Sequence, residues 1–182
     1  HTERMEPFWE AVAESGLPVC FHIGERPVNP ATSLRGAAGI FVMQQMGGMR
    51  NVWSMMTFGG VFDRNPSLQV VFVESGLHWV PGALQEADMI YESFPSHIQP
   101  KLSHMPSYYW FNNCYATFMQ DPVGMQLIDR IGADRAMWSS DYPHGNSNYP
   151  NAWSATQASM AGVPLPEKQL MLVDNAKRLY GF

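Results

Sequence analysis

The chain has 182 residues, enough for a single domain with a substantial hydrophobic core. Its formal net charge is −5 at pH 7 and it contains no cluster of Lys and Arg, so we expect no nucleic-acid partner. Its apolar runs are far shorter than the roughly 18 residues that a membrane-spanning helix needs, so we expect no membrane association.

The two cysteines indicate the cellular compartment. Cys20 and Cys114 both lie in apolar stretches, which predicts two buried free thiols rather than a disulfide. The first residues show no signal-peptide pattern. We therefore expect a protein of the reducing cytoplasm.

The first half of the chain alternates between helical and strand-like patterns. "RMEPFWEAVAESG" has apolar residues at three- and four-residue spacing before a glycine, which predicts a helix over 4–16. "LPVCFHIG", residues 17–24, is a short apolar run typical of a strand covered on both faces. A methionine-rich helical stretch interrupted by glycine pairs follows over 35–64, and the next predicted strand is 67–76. "PGALQEADMIYESF" predicts a helix over 81–94.

The second half continues the alternation after a loop rich in Pro and Ser. "YYWFNNCYATF", residues 108–118, is aromatic and predicts a strand. "DPVGMQLIDRIG" predicts a helix over 121–132 with Asp121 as its cap. "RAMWSSD", residues 135–141, is the last predicted strand, and a closing helix is predicted within 166–182.

These elements define a fold class. Strand and helix alternate four times, which predicts an α/β fold with a parallel sheet and right-handed crossovers. Residues 1–182 show no internal repeat and no domain boundary, so we expect a single domain. Four strands cannot close a (β/α)8 barrel, whose chains run to roughly 250 residues. The sequence therefore predicts parallel β/α units rather than a complete barrel.

Three of the predicted strands end in the same way, with a polar side chain followed closely by Gly or Pro. These side chains are His22, Glu74 and Asp141. In parallel α/β folds the carboxyl ends of the strands form one face, where ligands and catalytic groups gather. An imidazole with carboxylates is a ligand set that suits Zn²⁺ and related divalent ions. The sequence therefore predicts an active-site face.

Each of these residues also has an ordinary structural interpretation. His22 is explained equally by a satisfied polar residue at a strand end, and Glu74 by a cap of the following turn or helix. Asp141 is the most informative, because a carboxylate after a buried strand is costly unless it is paired or metal-bound, although a salt bridge would also satisfy it. His144 fits a surface loop.

Several motifs together resemble one known family. "FHIG", "GVFDRNPSLQVVFVESGLHWVP", "SSDYPHGNSNYPNAW" and the closing "DNAKRLYGF" are similar to the amidohydrolases typified by aminocarboxymuconate semialdehyde decarboxylase. The resemblance covers essentially the whole chain and matches the C-terminal half of the family's metal-dependent (β/α)8 barrel, from about the fifth strand onward. It implies a decarboxylase, a hydratase or a hydrolase.

The resemblance also implies roles for individual residues. His22 corresponds to a histidine that binds the metal, and Asp141 to an aspartate that contacts the metal and exchanges a proton with water. Glu74 stands where many members carry a histidine, and it remains able to transfer a proton. Trp79 and His144 are expected near the pocket rim as substrate contacts.

One family feature does not occur in these 182 residues, namely the His-x-His pair that the first strand supplies to the metal. A Zn²⁺ site commonly has at least three protein ligands. We therefore expect the sequence to be a fragment of a longer protein, and we expect this fragment to begin after the fourth strand of the barrel.

Two functions follow as hypotheses. The first is a metal-dependent hydrolase or decarboxylase that takes a small aromatic or unsaturated carboxylic acid, with a divalent ion, zinc first, as cofactor. The second is a non-catalytic half-barrel that acts as a binding or oligomerisation module. The methionine-rich segment 41–58 favours such an interface and is compatible with a homo-oligomer.

Overall fold

The computed structural model describes residues 1–22, 24, 35–145 and 147–182. In this part of the chain four parallel strands form one sheet, and each strand lies beside the one that follows it in sequence. The strands are β1 (Val19–His22), β2 (Val70–Val73), β3 (Cys114–Phe118) and β4 (Ala136–Trp138). Helices lie between successive strands, so the predicted parallel β/α arrangement is confirmed. Ile23 of the predicted first strand lies outside the described residues.

Every helix that the sequence predicted is present. In chain order the helices are α1 (Glu6–Ser15), α2 (Ala37–Met46), α3 (Gly48–Phe58), α4 (Val61–Arg64), α5 (Val80–Ser93), α6 (Pro106–Asn113), α7 (Pro122–Gln126), α8 (Ile128–Ile131), α9 (Ala152–Ser159), α10 (Leu165–Gln169) and α11 (Asn175–Tyr180). Of these, α6 and α9 are helices that the sequence analysis did not predict. The π-helical turn Leu170–Asp174 joins α10 to α11 and completes the predicted closing helix. None of the helices in the described ranges is both long enough and apolar enough to cross a bilayer. The cytoplasmic location stays a prediction.

The two faces of the sheet pack into different cores. Side chains alternate along a strand, so neighbouring residues point to opposite faces. Phe72 belongs to the larger core, and its ring stacks on Trp110 of α6 at 6.2 Å between centroids. Val71 points the other way, into a smaller cluster with Tyr115 and Met137 that is covered by α11. Both faces of the central strand β2 are therefore buried, as its apolar sequence predicted.

The strand predicted over 108–118 is only half correct. Residues Pro106–Asn113 form α6, and the strand begins at Cys114. Pro106 at the first helical turn suits a helix, and Trp110 is fully buried against Phe72. The Asn113 side chain donates to the carbonyls of Pro66 and Leu68 at 3.0 and 2.9 Å. Tertiary packing has overridden the β propensity of the aromatic residues.

The prediction for the cysteines is also correct only in part. Both are free thiols, and Cys114 is buried, which raises the pKa of its thiol well above the ordinary value. Cys20 is exposed, because β1 is an edge strand in the described sheet and only Val19 and Phe21 face the larger core. Cys20 Sγ lies 3.6 Å from the hydroxyl oxygen of Tyr180.

The methionine-rich segment is helical, as predicted, and divides into α2, α3 and α4 at its glycines. Its side chains have two distinct environments. Met49, Trp53 and Met56 of α3 are buried in the larger core. Four consecutive apolar side chains of α2, residues 40–43, are exposed instead, and Met43 reaches 73% exposure.

Candidate active site

Glu74 is presented by a strained turn at the end of β2. Its backbone has φ of 57°, in the left-handed region that non-glycine residues rarely adopt, and its N–H donates to Thr117 Oγ1 at 2.8 Å. The carboxylate is buried, with 8% of the side chain exposed, and its Oε1 lies 3.0 Å from His22 Nε2.

Asp141 is presented in the same way after β4. Its φ is 51°, and only 7% of its side chain is exposed. The chain turns back after Asp141, and the His144 N–H donates to the Asp141 carbonyl at 2.9 Å. This turn brings His144 Nδ1 to 3.1 Å from Asp141 Oδ1. Asp141 Oδ2 is buried and has no hydrogen-bond donor directed at it among the described residues.

The two acids meet at the carboxyl edge of the sheet. Ligand atoms of Glu74, Asp141 and His144 all lie within 4.8 Å of one another, and His22 joins the group through Glu74. Three of these side chains are the ones that the sequence placed at strand ends, and the turn after β4 adds His144. The structure therefore brings these side chains together, and their roles in a site stay a prediction.

The two buried acids of this cluster repel each other when both are charged. Burial raises the pKa of Glu74, and its hydrogen bond with Asp141 raises the pKa further, while the hydrogen bond with His22 opposes this. Two carboxyl groups share a hydrogen bond only when one of them carries a proton. A proton or a divalent cation between the acids would remove their repulsion. The buried Asp141 Oδ2 without a donor fits a cation ligand, and carboxylate oxygens with imidazole nitrogen are suitable donors.

A cavity of about 440 Å³ opens onto the cluster. Its lining combines polar groups at the base with apolar side chains of α2 on one wall. The lining residues are His22, Gly24, Phe41, Val42, Gln45, Met46, Glu74, Asp141 and His144. This size and character suit a small organic ligand. The α2 residues were missed by sequence reasoning, because an apolar helical run is also typical of a core.

Trp79 has a different environment from the expected one. Its indole packs edge-on against Phe72 and Trp110 at 5.7 Å and donates to the carbonyl of Gly76 at 3.2 Å. It does not line the 440 Å³ cavity, because it lies with Phe72 on the sheet face of the larger core. Trp79 supports the turn after β2 through its hydrogen bond to Gly76, whereas His144 lines the cavity; the role of His144 as a substrate contact stays a prediction.

A smaller cavity of about 160 Å³ adjoins the first, since Met46 and Glu74 line both. It also contains His78 and Asp121. The sequence predicted Asp121 as the cap of α7, and its Oδ1 does accept the N–H of Gly124 at 2.7 Å. Its second role, accepting hydrogen bonds from the turn after β2, joins segments far apart in sequence and could not be predicted.

This fold and site define a class of protein: a parallel α/β protein with an acidic, histidine-flanked site at the carboxyl edge of its sheet. The sequence model of the amidohydrolase family matches residues 1–182. The chain therefore belongs to the amidohydrolase family, as its motifs predicted. No match was found among curated proteins.

Solved structures share the fold. An amidohydrolase from Mycobacterium avium subsp. paratuberculosis K-10 is 24% identical, with a TM-score of 0.78, and the match covers 98% of this chain and 46% of that one. 5-Carboxyvanillate decarboxylase LigW from Sphingomonas paucimobilis is 22% identical, with a TM-score of 0.76, and the match covers 100% of this chain and 54% of that one. A dihydroxybenzoic acid decarboxylase from Polaromonas sp. JS666 was solved with manganese and the inhibitor 2-nitroresorcinol. It is 21% identical, with a TM-score of 0.72, and the match covers 99% of this chain and 54% of that one.

The chain spans about half the length of these solved structures. Its four parallel strands and their helices are thus a partial TIM barrel, which confirms the predicted fold class.

Proposed function

We propose that this chain belongs to a metal-dependent decarboxylase or hydrolase that acts on a small aromatic or unsaturated carboxylic acid. The observation that carries the proposal is the group formed by Glu74, Asp141 and His144 beneath a ligand-sized cavity. Two of the similar solved structures are decarboxylases of aromatic acids, which supports decarboxylation as the first reaction to test.

The cofactor in this proposal is a divalent metal ion. Asp141 and His22 are the ligands that the family resemblance implies, and Glu74 and His144 offer ligand atoms beside them. Zinc and manganese both accept such an oxygen and nitrogen set, and manganese is bound in the Polaromonas decarboxylase. A bound divalent ion would polarise an oxygen of the substrate. In the full-length protein, further ligands would come from the remainder of the barrel.

Proton transfer is the task proposed for the two acids. Burial and the neighbouring Asp141 raise the pKa of Glu74, which favours Glu74 as the group that carries a proton. In a decarboxylation the bond between the ring and the carboxylate breaks, CO₂ leaves with its carboxylate oxygens, and the pair delivers its proton to the ring carbon. In a hydrolysis Asp141 would instead accept a proton from the attacking water. His22 and His144 orient the carboxylates through their contacts of 3.0 and 3.1 Å.

The cavity supports a substrate of one ring. Phe41, Val42 and Met46 give it an apolar wall, and His144 stands at its rim as the proposed substrate contact. The cavity volume of about 440 Å³ suits a substituted benzoic acid.

Turnover measurements on the full-length protein test this proposal. We expect CO₂ release from at least one hydroxylated benzoate, loss of that activity on chelation, and recovery on addition of Zn²⁺ or Mn²⁺. Asp141→Asn should lower kcat by about 10²–10⁴-fold, because the variant loses a proton-transfer group. Asp129→Asn is the matched control, since Asp129 is exposed and lines neither cavity, and it should keep full activity. Activity that persists after complete metal removal would contradict metal dependence.

The non-catalytic hypothesis predicts the opposite result. A binding module would show neither metal-dependent turnover nor metal retention. A homo-oligomer stays a prediction, which the exposed apolar residues 40–43 of α2 support. Light scattering of the purified protein would measure the oligomeric state.

A further inference from the structure

A second histidine–carboxylate pair lies beside the proposed site. Asp121 Oδ2 accepts hydrogen bonds from the N–H groups of Leu77 and His78, at 2.6 and 2.9 Å, and lies 3.2 Å from His78 Nδ1. Burial alone would raise the pKa of Asp121, but the donated hydrogen bonds outweigh this and lower it. Asp121 is therefore a carboxylate that can only accept, so His78 Nδ1 must be the donor.

This orientation leaves His78 Nε2 as the ring atom available to a ligand. The imidazole lines the 160 Å³ cavity, with 59% of its side chain exposed. The carboxylate behind Nδ1 fixes the orientation of the ring. Met46 and Glu74 line both cavities, so a ligand in the larger one can extend a substituent towards His78.

The charges of the residues that line the two cavities indicate which kind of ligand substituent would bind near His78. The described lining of both cavities contains no Lys or Arg, although it includes the acids Glu74, Asp121 and Asp141. His22 and His144 already contact those acids. Beyond the proposed metal ion, His78, backed by Asp121, offers a further donor for an anionic oxygen of the substrate.

We propose that His78 and Asp121 form an oxyanion subsite, in which His78 Nε2–H binds a carboxylate or phenolate oxygen of the substrate on the side away from Asp141. The inference rests on the proposed function for its substrate class. It assigns His78 a role in binding and Asp121 a role in positioning the imidazole.

Benzoate binding to the metal-free protein tests the subsite. At about pH 6, where an ordinary histidine is largely protonated, His78→Gln should weaken benzoate binding about tenfold. His97→Gln is the matched control, because His97 lies in an exposed loop and lines neither cavity, and it should leave the affinity unchanged. Benzamide has the same ring without the charge and should bind more weakly than benzoate to the unmodified protein.

Imidazole NMR signals provide a second readout that needs no variant. Benzoate should shift the His78 ring signals of the unmodified protein more than those of His97. Equal benzoate affinities of the His78→Gln and unmodified proteins, benzamide binding as tight as benzoate, or an unshifted His78 signal would each overturn the subsite. Benzoate binding is measured on metal-free protein, whereas the decarboxylase proposal is tested by metal-dependent turnover. The two experiments can therefore fail independently of each other.

Discussion

Ligand atoms of Glu74 and Asp141 lie within 4.8 Å of each other, although the two residues follow different strands, and both residues have positive φ. The two strained turns are what bring the acids together at the edge of the sheet. Left-handed backbone in a non-glycine residue costs about 1–2 kcal/mol, and such strain is concentrated at functional sites. The fold thus gives up some stability for the arrangement of these acids.

The strain at Glu74 can be measured by comparing two variants. Glu74→Gly and Glu74→Ala both remove the carboxylate, but only glycine adopts a φ of 57° without a Cβ clash. We expect Glu74→Gly to be more stable than Glu74→Ala by about 1 kcal/mol in urea unfolding. Equal stabilities, or a more stable alanine variant, would show that the turn is unstrained.

The proton transfer proposed for Glu74 should be essential for turnover. Glu74→Gln keeps the size of the side chain and a donor towards Asp141 but cannot release a proton. We expect kcat to fall about 10²–10⁴-fold, while the unfolding midpoint changes little. Steady-state kinetics beside Glu92→Gln, an exposed acid of α5 that lines neither cavity, would measure this. A Glu74→Gln protein with normal kcat would remove Glu74 from the chemistry.

Asp121 should make stability depend on acid pH. Its folded-state pKa is lowered from the ordinary 3.8, so its contribution is complete above that value and is lost as the pH falls through the folded-state pKa. Asp121→Asn should cost about 1–3 kcal/mol at neutral pH, because three backbone N–H groups lose their charged acceptor. Urea unfolding should show this deficit shrinking below about pH 4. A deficit independent of pH would contradict the ionised carboxylate.

Gly124 should be required for the close packing of α7 on the turn after β2. A Cβ at this position would lie 2.7 Å from Leu77 Cβ and 2.8 Å from Asp121 Cγ. We expect Gly124→Ala to destabilise the protein by about 1–3 kcal/mol. In exposed Gly82 of α5 the same change meets no atom within 4 Å and should stabilise the helix by up to about 1 kcal/mol. Thermal unfolding of the two variants should therefore shift in opposite directions.

Sequence periodicity predicted the sheet and the positions of its polar strand ends, because apolar runs that stop at a charged residue are local signals. His22, Glu74 and Asp141 were found in this way. The pairing of His78 with Asp121 depends on packing between separate β/α units, so no local pattern revealed it. The α6 helix was missed because its aromatic residues have a high strand propensity, whereas the burial of Trp110 in the larger core depends on tertiary packing. The assignment to the C-terminal half of the barrel stays a prediction.

Metal binding by the acid cluster is the central claim. Titration of the full-length protein with Mn²⁺, followed by electron paramagnetic resonance, measures it directly. We predict a tightly bound ion that Asp141→Asn weakens by at least about tenfold, while Asp129→Asn leaves it unchanged. Mn²⁺ binding of equal affinity in the Asp141→Asn and unmodified proteins, or no bound Mn²⁺ in either, would contradict the account.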